Sequence, residues 1–286
     1  MDNARPHILR RKTLQPTSGC EATASSVSQV LVSIFEFGGG VVVVKATTRS
    51  RKAAQAKMWD VAASPSKLAR PKILVCSSGK GGSGKTCLTR NLAVFAAHAG
   101  LRVATIDLDP QRGLTNWYAV RPDEAVNIPN VAIPLSRLQE AIQQAEALGK
   151  LDLLVIDTPP GVDASPVEMR HLLLLADFVL VPTGQGAGDL RSVVEWMAFI
   201  RREQRPSAFV LNLTMRSAGS FDRAKQRLIE AGDLCPFDIR LYESIRVSDE
   251  IGLGVAEMKG ANGLSDVRGV FTFAMHALGM KVSVDV

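Results

Sequence analysis

The sequence predicts an α/β fold of three layers, a mostly parallel twisted sheet flanked by helices. Three observations carry this reading. Short apolar runs alternate with helical stretches from residue 72 onward, the pattern of a parallel sheet covered on both faces. A glycine-rich loop, Gly79 to Thr86, separates the first apolar run from the first helix. Carboxylates stand at the ends of later runs, at Asp107, Asp109 and Asp157, where such sheets bind their ligands.

The elements follow in order. Ile73 to Cys76 is an apolar run of buried-strand type. Thr86 to Ala99 reads as a helix that stops at Gly100, a usual residue just past a helix end. Arg102 to Asp107 is the second strand, and Leu138 to Leu148 is helical. Leu151 to Ile156 is a strand closing on Asp157, and Phe178 to Val181 is a fourth. Asp189 to Arg202 is a helix, Ala208 to Leu213 a strand and Phe221 to Ala231 a helix. Residues 265–279 form the last helix.

Composition narrows the class. Hydrophobic residues make up 46% of the 286 and charged residues 22%, which excludes a wholly disordered or collagen-like chain. No run reaches the ~18 apolar residues of a membrane span. The longest, Val30 to Val44, is broken by Glu36 and three glycines. Cys20, Cys76, Cys87 and Cys235 are scattered without a CxxC pair, which argues against a disulfide framework or zinc site and fits a reducing compartment. Cys87 beside the glycine loop invites a redox role, but a small buried hydrophobe is the ordinary role of such a residue.

The net charge of +6 is uneven. Residues 1–72 hold 12 Lys/Arg against 4 Asp/Glu, and the remainder is slightly acidic at −2. Residues 1–71 show no periodic pattern and read as a poorly ordered basic extension, with a short strand at Val41–Val44. Two other readings of this segment are a start of translation at Met58 and a basic arm that binds DNA or a membrane. Residues 72–286 form the ordered domain.

Gly79-Lys80-Gly81-Gly82-Ser83-Gly84-Lys85-Thr86 has the phosphate-loop pattern GxxxxGK[ST]. Glycines let backbone N–H groups turn inward onto phosphate oxygens, and the following helix adds its positive end. Lys85 supplies a charge between β- and γ-phosphates, and the Thr86 hydroxyl a ligand for Mg²⁺. Asp157 is the expected second acidic site, holding Mg²⁺ through a water. Thr158-Pro159-Pro160-Gly161 makes a stiff turn and a small-residue hinge. Lys80 is the unusual residue. It sits at the loop mouth, poorly placed for its own phosphates, within reach of a nucleotide in a facing subunit.

From Lys80 to Thr86 the sequence resembles the deviant Walker A motif of the ParA/MinD ATPases, a branch of the phosphate-loop NTPases. Asp107-Leu108-Asp109-Pro110-Gln111 is similar to the DxDPQ motif of the ParA branch. Ala176 to Pro182 and Ile239 to Gly252 are similar to later family segments, so the resemblance runs from about Lys72 to about Leu278. It implies ATP and Mg²⁺ as cofactors, with Gly79 to Thr86 and Cys87 around the nucleotide. It also implies an ATP-sandwich homodimer in which Lys80 contacts the partner's phosphates. Asp109 would orient or activate the attacking water and join Thr86 and Asp157 in the metal set. Departures are Ser83 in place of Val or Ile, Cys87 in place of Thr, and an unusually glycine-rich Gly184-Gln185-Gly186-Ala187-Gly188. Nitrogenase iron proteins share the loop but need a cysteine pair near the dimer axis, which these cysteines do not provide.

Three functions then compete. A ParA-type partition ATPase would dimerise on ATP, coat DNA nonspecifically and hydrolyse ATP when a ParB-like adaptor stimulates it, in the cytoplasm on the nucleoid. Arg191, Arg201, Arg202, Arg205, Arg216, Arg223, Lys225 and Arg227 stand against only Glu195, Glu203 and Asp222 over residues 191–227; an ordinary solvated helix face is the alternative, but this local excess in an otherwise acidic domain favours a patch for phosphate backbones. A MinD-like membrane ATPase would need a basic amphipathic tail. The last helix has a stripe of Val267, Val270, Phe271, Ala274, Met275 and Leu278, but its other face is not basic, so no stable membrane insertion is expected. A metabolic or transfer enzyme would need further acids, bases or nucleophiles. His7, His98, His171 and His276 are isolated. The partition reading is the expectation.

Overall fold

A computed structural model describes residues 70–161 and 166–282, together with 36–37 and 40–41. The chain divides into two compact units, Met1–Ala62 and Ala63–Val286. In the first, β1 (Glu36–Phe37) pairs antiparallel with β2 (Gly40–Val41). The strand expected at Val41–Val44 thus begins at Gly40, and Val42–Val44 lie outside the described residues.

The second unit holds a seven-stranded sheet, parallel throughout, in the order β5-β4-β6-β3-β7-β8-β9. These strands are β3 (Lys72–Cys76), β4 (Val103–Asp107), β5 (Asn130–Ala132), β6 (Leu153–Asp157), β7 (Phe178–Thr183), β8 (Ser207–Thr214) and β9 (Ile239–Arg240). Among the described residues eight α-helices flank it: α1 (Lys85–His98), α2 (Gly113–Ala119), α3 (Leu138–Glu146), α4 (Pro166–Leu175), α5 (Ala187–Arg202), α6 (Ser220–Ala231), α7 (Glu243–Glu250) and α8 (Leu264–Ala277).

Alternation along β3 explains the three layers. Ile73 and Val75 enter a core shared with α3, α4, α5 and α6. Leu74 and Cys76 enter the opposite core, shared with α1, α2 and α8. Strands buried on both faces must be apolar throughout, which is why these runs show no polar alternation. The apolar stripe of α8 lies in this second core, where Phe271 stacks on Phe95 with centroids 5.7 Å apart.

Several elements escape periodicity. β5 and β9 are too short to show a repeat, at 3 and 2 residues. α2 opens from Arg112 in a left-handed conformation without a side-chain cap, so no start signal precedes it. α4 carries the near-uniform run His171-Leu172-Leu173-Leu174-Leu175, of which only Leu172 and Leu173 are buried. α7 is mostly polar, with Ile245 as its main anchor. α5 begins at Ala187 rather than Asp189, which places Asp189 inside its first turn.

Ion pairs close the seams between elements. Asp238 accepts from Arg216 at 2.7 Å and from the Thr214 hydroxyl at 2.7 Å, joining the end of β8 to β9. Burial raises the Asp238 pKa, but these bonds outweigh it and hold the carboxyl below its ordinary range. A depressed carboxyl stabilises the fold above its unfolded pKa and loses that contribution as pH falls through the folded value. Asp238→Asn should therefore cost about 1–3 kcal/mol at neutral pH. Its melting curve should converge with wild type near pH ~2. A penalty that persists undiminished in acid, measured by thermal unfolding across pH, would contradict this account.

Candidate nucleotide-binding site

The sheet assembles the site before any loop does. Cys76, at the end of β3, pairs in register with Asp157 at the end of β6. Asp157 in turn pairs with Asp107 at the end of β4. The glycine loop leaves the central strand beside Asp157, with Asp107 one strand further on.

Gly84 ends the loop and caps α1 with φ 85°. A Cβ there would lie 2.1 Å from Asn212 Nδ2, so both backbone and space demand glycine. Asn212 Nδ2 donates to the Ser83 carbonyl at 3.0 Å. Asn212 is fully buried on β8, and the next residue, Leu213, holds φ 55° at an irregularity in the β8–β9 ladder. Sequence reasoning missed Asn212; a buried-type run interrupted by one amide was the available signal. Gly79 lets α5 approach, since its Cβ would lie 3.0 Å from Ser192 and 3.2 Å from Trp196. Gly81 and Gly82 border open space, leaving this stretch free to face a ligand.

Lys85 is 6% exposed and donates to the carbonyl of Lys80 at 3.3 Å. Burial lowers its pKa, while Asp157 and Asp109 pull it back upward. Thr86 Oγ1 donates to Asp157 Oδ2 at 2.6 Å. Asp157 is fully buried, and burial pushes its carboxyl up to about 7 against the opposing Thr86 bond, with Asp107 adding to the rise. Its Oδ1 has no hydrogen-bond partner among the described residues. A hydroxyl and a carboxylate with an unpartnered oxygen are hard donors that could hold Mg²⁺. Among the described residues no group of three or more His, Cys, Asp or Glu could hold a metal, so an ion here would take its remaining ligands from phosphate and water.

Asp107 is consumed structurally. It accepts from Asp109 N at 3.1 Å and from Thr115 N and Oγ1 at 2.9 and 2.6 Å. This fixes the turn that carries Asp109, whose Oδ1 accepts from Gln111 N at 2.9 Å. Thr115 is a second positioning residue that sequence reasoning missed. Thr158 donates to the Cys76 carbonyl at 3.1 Å, and Gly161 N to the Ser78 carbonyl at 3.2 Å. The expected hinge is thereby laid against the loop. Cys87 turns its sulfur toward Asn91, and burial raises its thiol pKa, which opposes thiolate reactivity. Lys80 is exposed, unlike Lys85, and pairs with Asp189 at 2.6 Å.

The eight candidate DNA-binding cations do not gather at one end of the strands. Arg191 lies in the early part of α5, beside the loop, and Arg201 and Arg202 in its last turn. Ten residues of helix separate them, about 15 Å. Arg205 lies beyond that far end and donates to the Leu174 carbonyl. Arg201 donates to Ala231 O, and Arg202 rides over Phe199. Arg216 precedes α6, whose start is tied to the Gln185 segment; Arg223 and Lys225 lie in its first half and Arg227 in its second. Arg216 is paired with Asp238, and Lys225 covers Phe221.

A family model described as the CobQ/CobB/MinD/ParA nucleotide binding domain matches residues 74–261. The chain is 30% identical over 199 residues to "Maintenance of carboxysome distribution protein A" of Gloeobacter kilaueensis, covering 67% of this chain and 87% of that protein. It is 27% identical over 140 residues to "Chromosome-partitioning ATPase Soj" of Thermus thermophilus, covering 40% of this chain and 55% of that protein. The fold is similar to that of the ATP complex of Cyanothece McdA, with TM-score 0.59 and 20% identity over 76% of this chain and 100% of that one.

The loop geometry makes a paired expectation. Gly84→Ala should weaken nucleotide binding about five- to thirtyfold, because left-handed strain alone costs roughly 1–2 kcal/mol. Gly81→Ala should keep the wild-type melting temperature. Calorimetric titration and thermal scanning of both variants check this; wild-type affinity in Gly84→Ala would refute it.

Proposed function

The chain belongs to the CobQ/CobB/MinD/ParA family of nucleotide-binding domains, and from that membership we propose that it is a partition or cargo-positioning ATPase that dimerises on ATP. The carrying observation is the contrast in burial and partners between two lysines of one loop. Lys85 is buried and turned into the loop, whereas Lys80 is half exposed at its rim. One serves the nucleotide of its own subunit. The other has the reach to serve a facing one across a two-fold axis.

In this reading the loop N–H groups and the α1 N-terminus bind the phosphates. Thr86 and Asp157 would hold Mg²⁺, which when bound neutralises charge on the β- and γ-phosphates. Asp109, aimed by Asp107 and the Gln111 amide, orients the water that attacks the γ-phosphate. Lys85 and Lys80 balance the charge that develops there. Thr158 and Gly161 connect that chemistry to the segment after β6, a suitable reporter of the γ-phosphate.

DNA is the proposed track, and a ParB-like adaptor the proposed stimulus, on the nucleoid in the cytoplasm. Cations at the loop end of the strands, Arg191 and Arg223, are the ones able to sense nucleotide state. The far-end pair Arg201 and Arg202 is the internal comparison. The membrane alternative draws no support from α8, whose apolar stripe is occupied by the core, and no described helix is long and apolar enough to cross a membrane.

Two experiments test the reading. Lys80→Ala should bind ATP yet fail to dimerise by light scattering, while Asp109→Ala dimerises but hydrolyses slowly; ATP-driven dimers of Lys80→Ala at wild-type strength would end the sandwich model. On DNA, neutralising Arg191 and Arg223 together should flatten the salt dependence by up to ~2 units of slope, at about 0.9 per lost phosphate contact. If only the Arg201/Arg202 pair does so, the DNA face is the far end instead.

A further inference from the structure

Lys80 is held within its own subunit. Its Nζ lies 2.6 Å from Oδ1 of Asp189, in the first turn of α5. The backbone makes room for that carboxylate. A Cβ on Gly184 would lie 2.8 Å from Asp189 Oδ2, and one on Gly186 3.1 Å from it. Two of the three glycines in residues 184–188 thus have a local cause. Gly79 brings α5 close enough for the pair to form. Gln185 pins the same segment, bonding Ser220 Oγ at 2.7 Å and the Met215 amide at 2.8 Å. Meanwhile Lys85 donates to the carbonyl of Lys80 itself. Each lysine rests on a group of this chain, and the two resting contacts share one residue.

We propose that Asp189 is a positioning residue that latches Lys80 inside its own subunit, and that the latch opens in two steps. Phosphates entering the loop draw Lys85 away from the Lys80 carbonyl, which frees the Lys80 backbone. The γ-phosphate of the facing subunit, more highly charged than one carboxylate, then takes Lys80 from Asp189. This rests on the ATP-sandwich reading and adds a threshold to it. ADP offers no γ-phosphate, so the latch stays closed and the subunit stays single.

The strength of the latch suits that role. The side chains are 53% and 36% exposed, and ion pairs so exposed shift equilibria only about two- to fivefold. A symmetric dimer opens two of them, so the combined bias is about four- to 25-fold. A phosphate overcomes that bias, while chance encounters of ADP-bound subunits do not.

The test uses the full chain with two readouts. The first is acetylation of Lys80 by acetic anhydride without nucleotide, followed by peptide mass spectrometry. In wild type the amine is occupied by the carboxylate; without that partner it is free to meet the reagent, so Asp189→Asn should label about two- to fivefold faster. The second is the dimer dissociation constant by light scattering, with ATP and with ADP. Asp189→Asn should tighten the ATP dimer about four- to 25-fold and make an ADP dimer detectable. Gly184→Ala, whose methyl displaces the same carboxylate, should shift both readouts in the same direction. Unchanged Lys80 labelling in both variants overturns the latch while leaving the sandwich standing. Faster labelling with an unchanged or weaker ATP dimer overturns its role as a threshold. A wild type that forms no dimer on ATP overturns the sandwich reading and this proposal with it.

Discussion

A carboxylate at the centre of a parallel sheet is expensive unless something claims its charge. Asp157 is fully buried at the end of β6, its Oδ2 bonded to Thr86 and its Oδ1 without a partner among the described residues. Much of the site can be understood as the surroundings of that one group. Thr86 is there because α1 starts where it does. α1 starts there because Gly84 adopts a backbone that other residues resist. Gly84 is held against Asn212, whose side chain closes the far side of the loop. Lys85 lies close enough to offset part of the negative field. The cluster is balanced only in part, which is the condition expected of a site built to receive a ligand.

The helix that carries the loop is anchored along its length. Leu88, Leu92 and Phe95 sink into the core beneath the sheet. Asn91 accepts from Val255 N at 2.9 Å, and Arg90 bonds the Ile245 carbonyl at 2.8 Å and pairs with Asp249. α1 is therefore tied to α7 and the turn after it, over 150 residues away in sequence. Displacement at the phosphate loop has a rigid route to the late loops. On the opposite face, α5 meets the loop through Gly79 and Lys80. The loop is thus clasped between two helices from different layers, one buried and apolar, the other joined by an exposed ion pair. Only the second clasp is weak enough to release under a modest change of charge.

Charge on the surface is distributed by the same geometry. In a parallel α/β sheet each helix returns from the C-terminal ends of the strands to their N-terminal ends, so cations close in sequence separate in space. Arg191 and Arg202 lie eleven residues apart on one helix and near opposite ends of the strands. Others are already engaged: Arg216 with Asp238, and Arg240 with Asp266. The local excess over residues 191–227 is real as arithmetic, but it does not form one patch.

The sequence by itself determined the layers, the central strand, the phosphate loop and the carboxylates facing it. These follow from short-range rules: burial on both faces forces uniform apolar runs, and wrapping a phosphate forces glycines at set spacings. Lys80 was also legible as a cation without a use in its own loop. The tertiary structure decided the rest. Asp107 and Asp109 look equivalent in sequence, yet only Asp109 is left open, because Thr115 of α2 captures Asp107. Asn212 gained its place from a kinked β8, and Asp189 its contact with Lys80 from the approach of α5 to Gly79. The partners in these contacts, Asn212 with Ser83 and Lys80 with Asp189, are separated by more than a hundred residues. No local propensity encodes such pairings; they exist only once the sheet has brought the strand ends side by side.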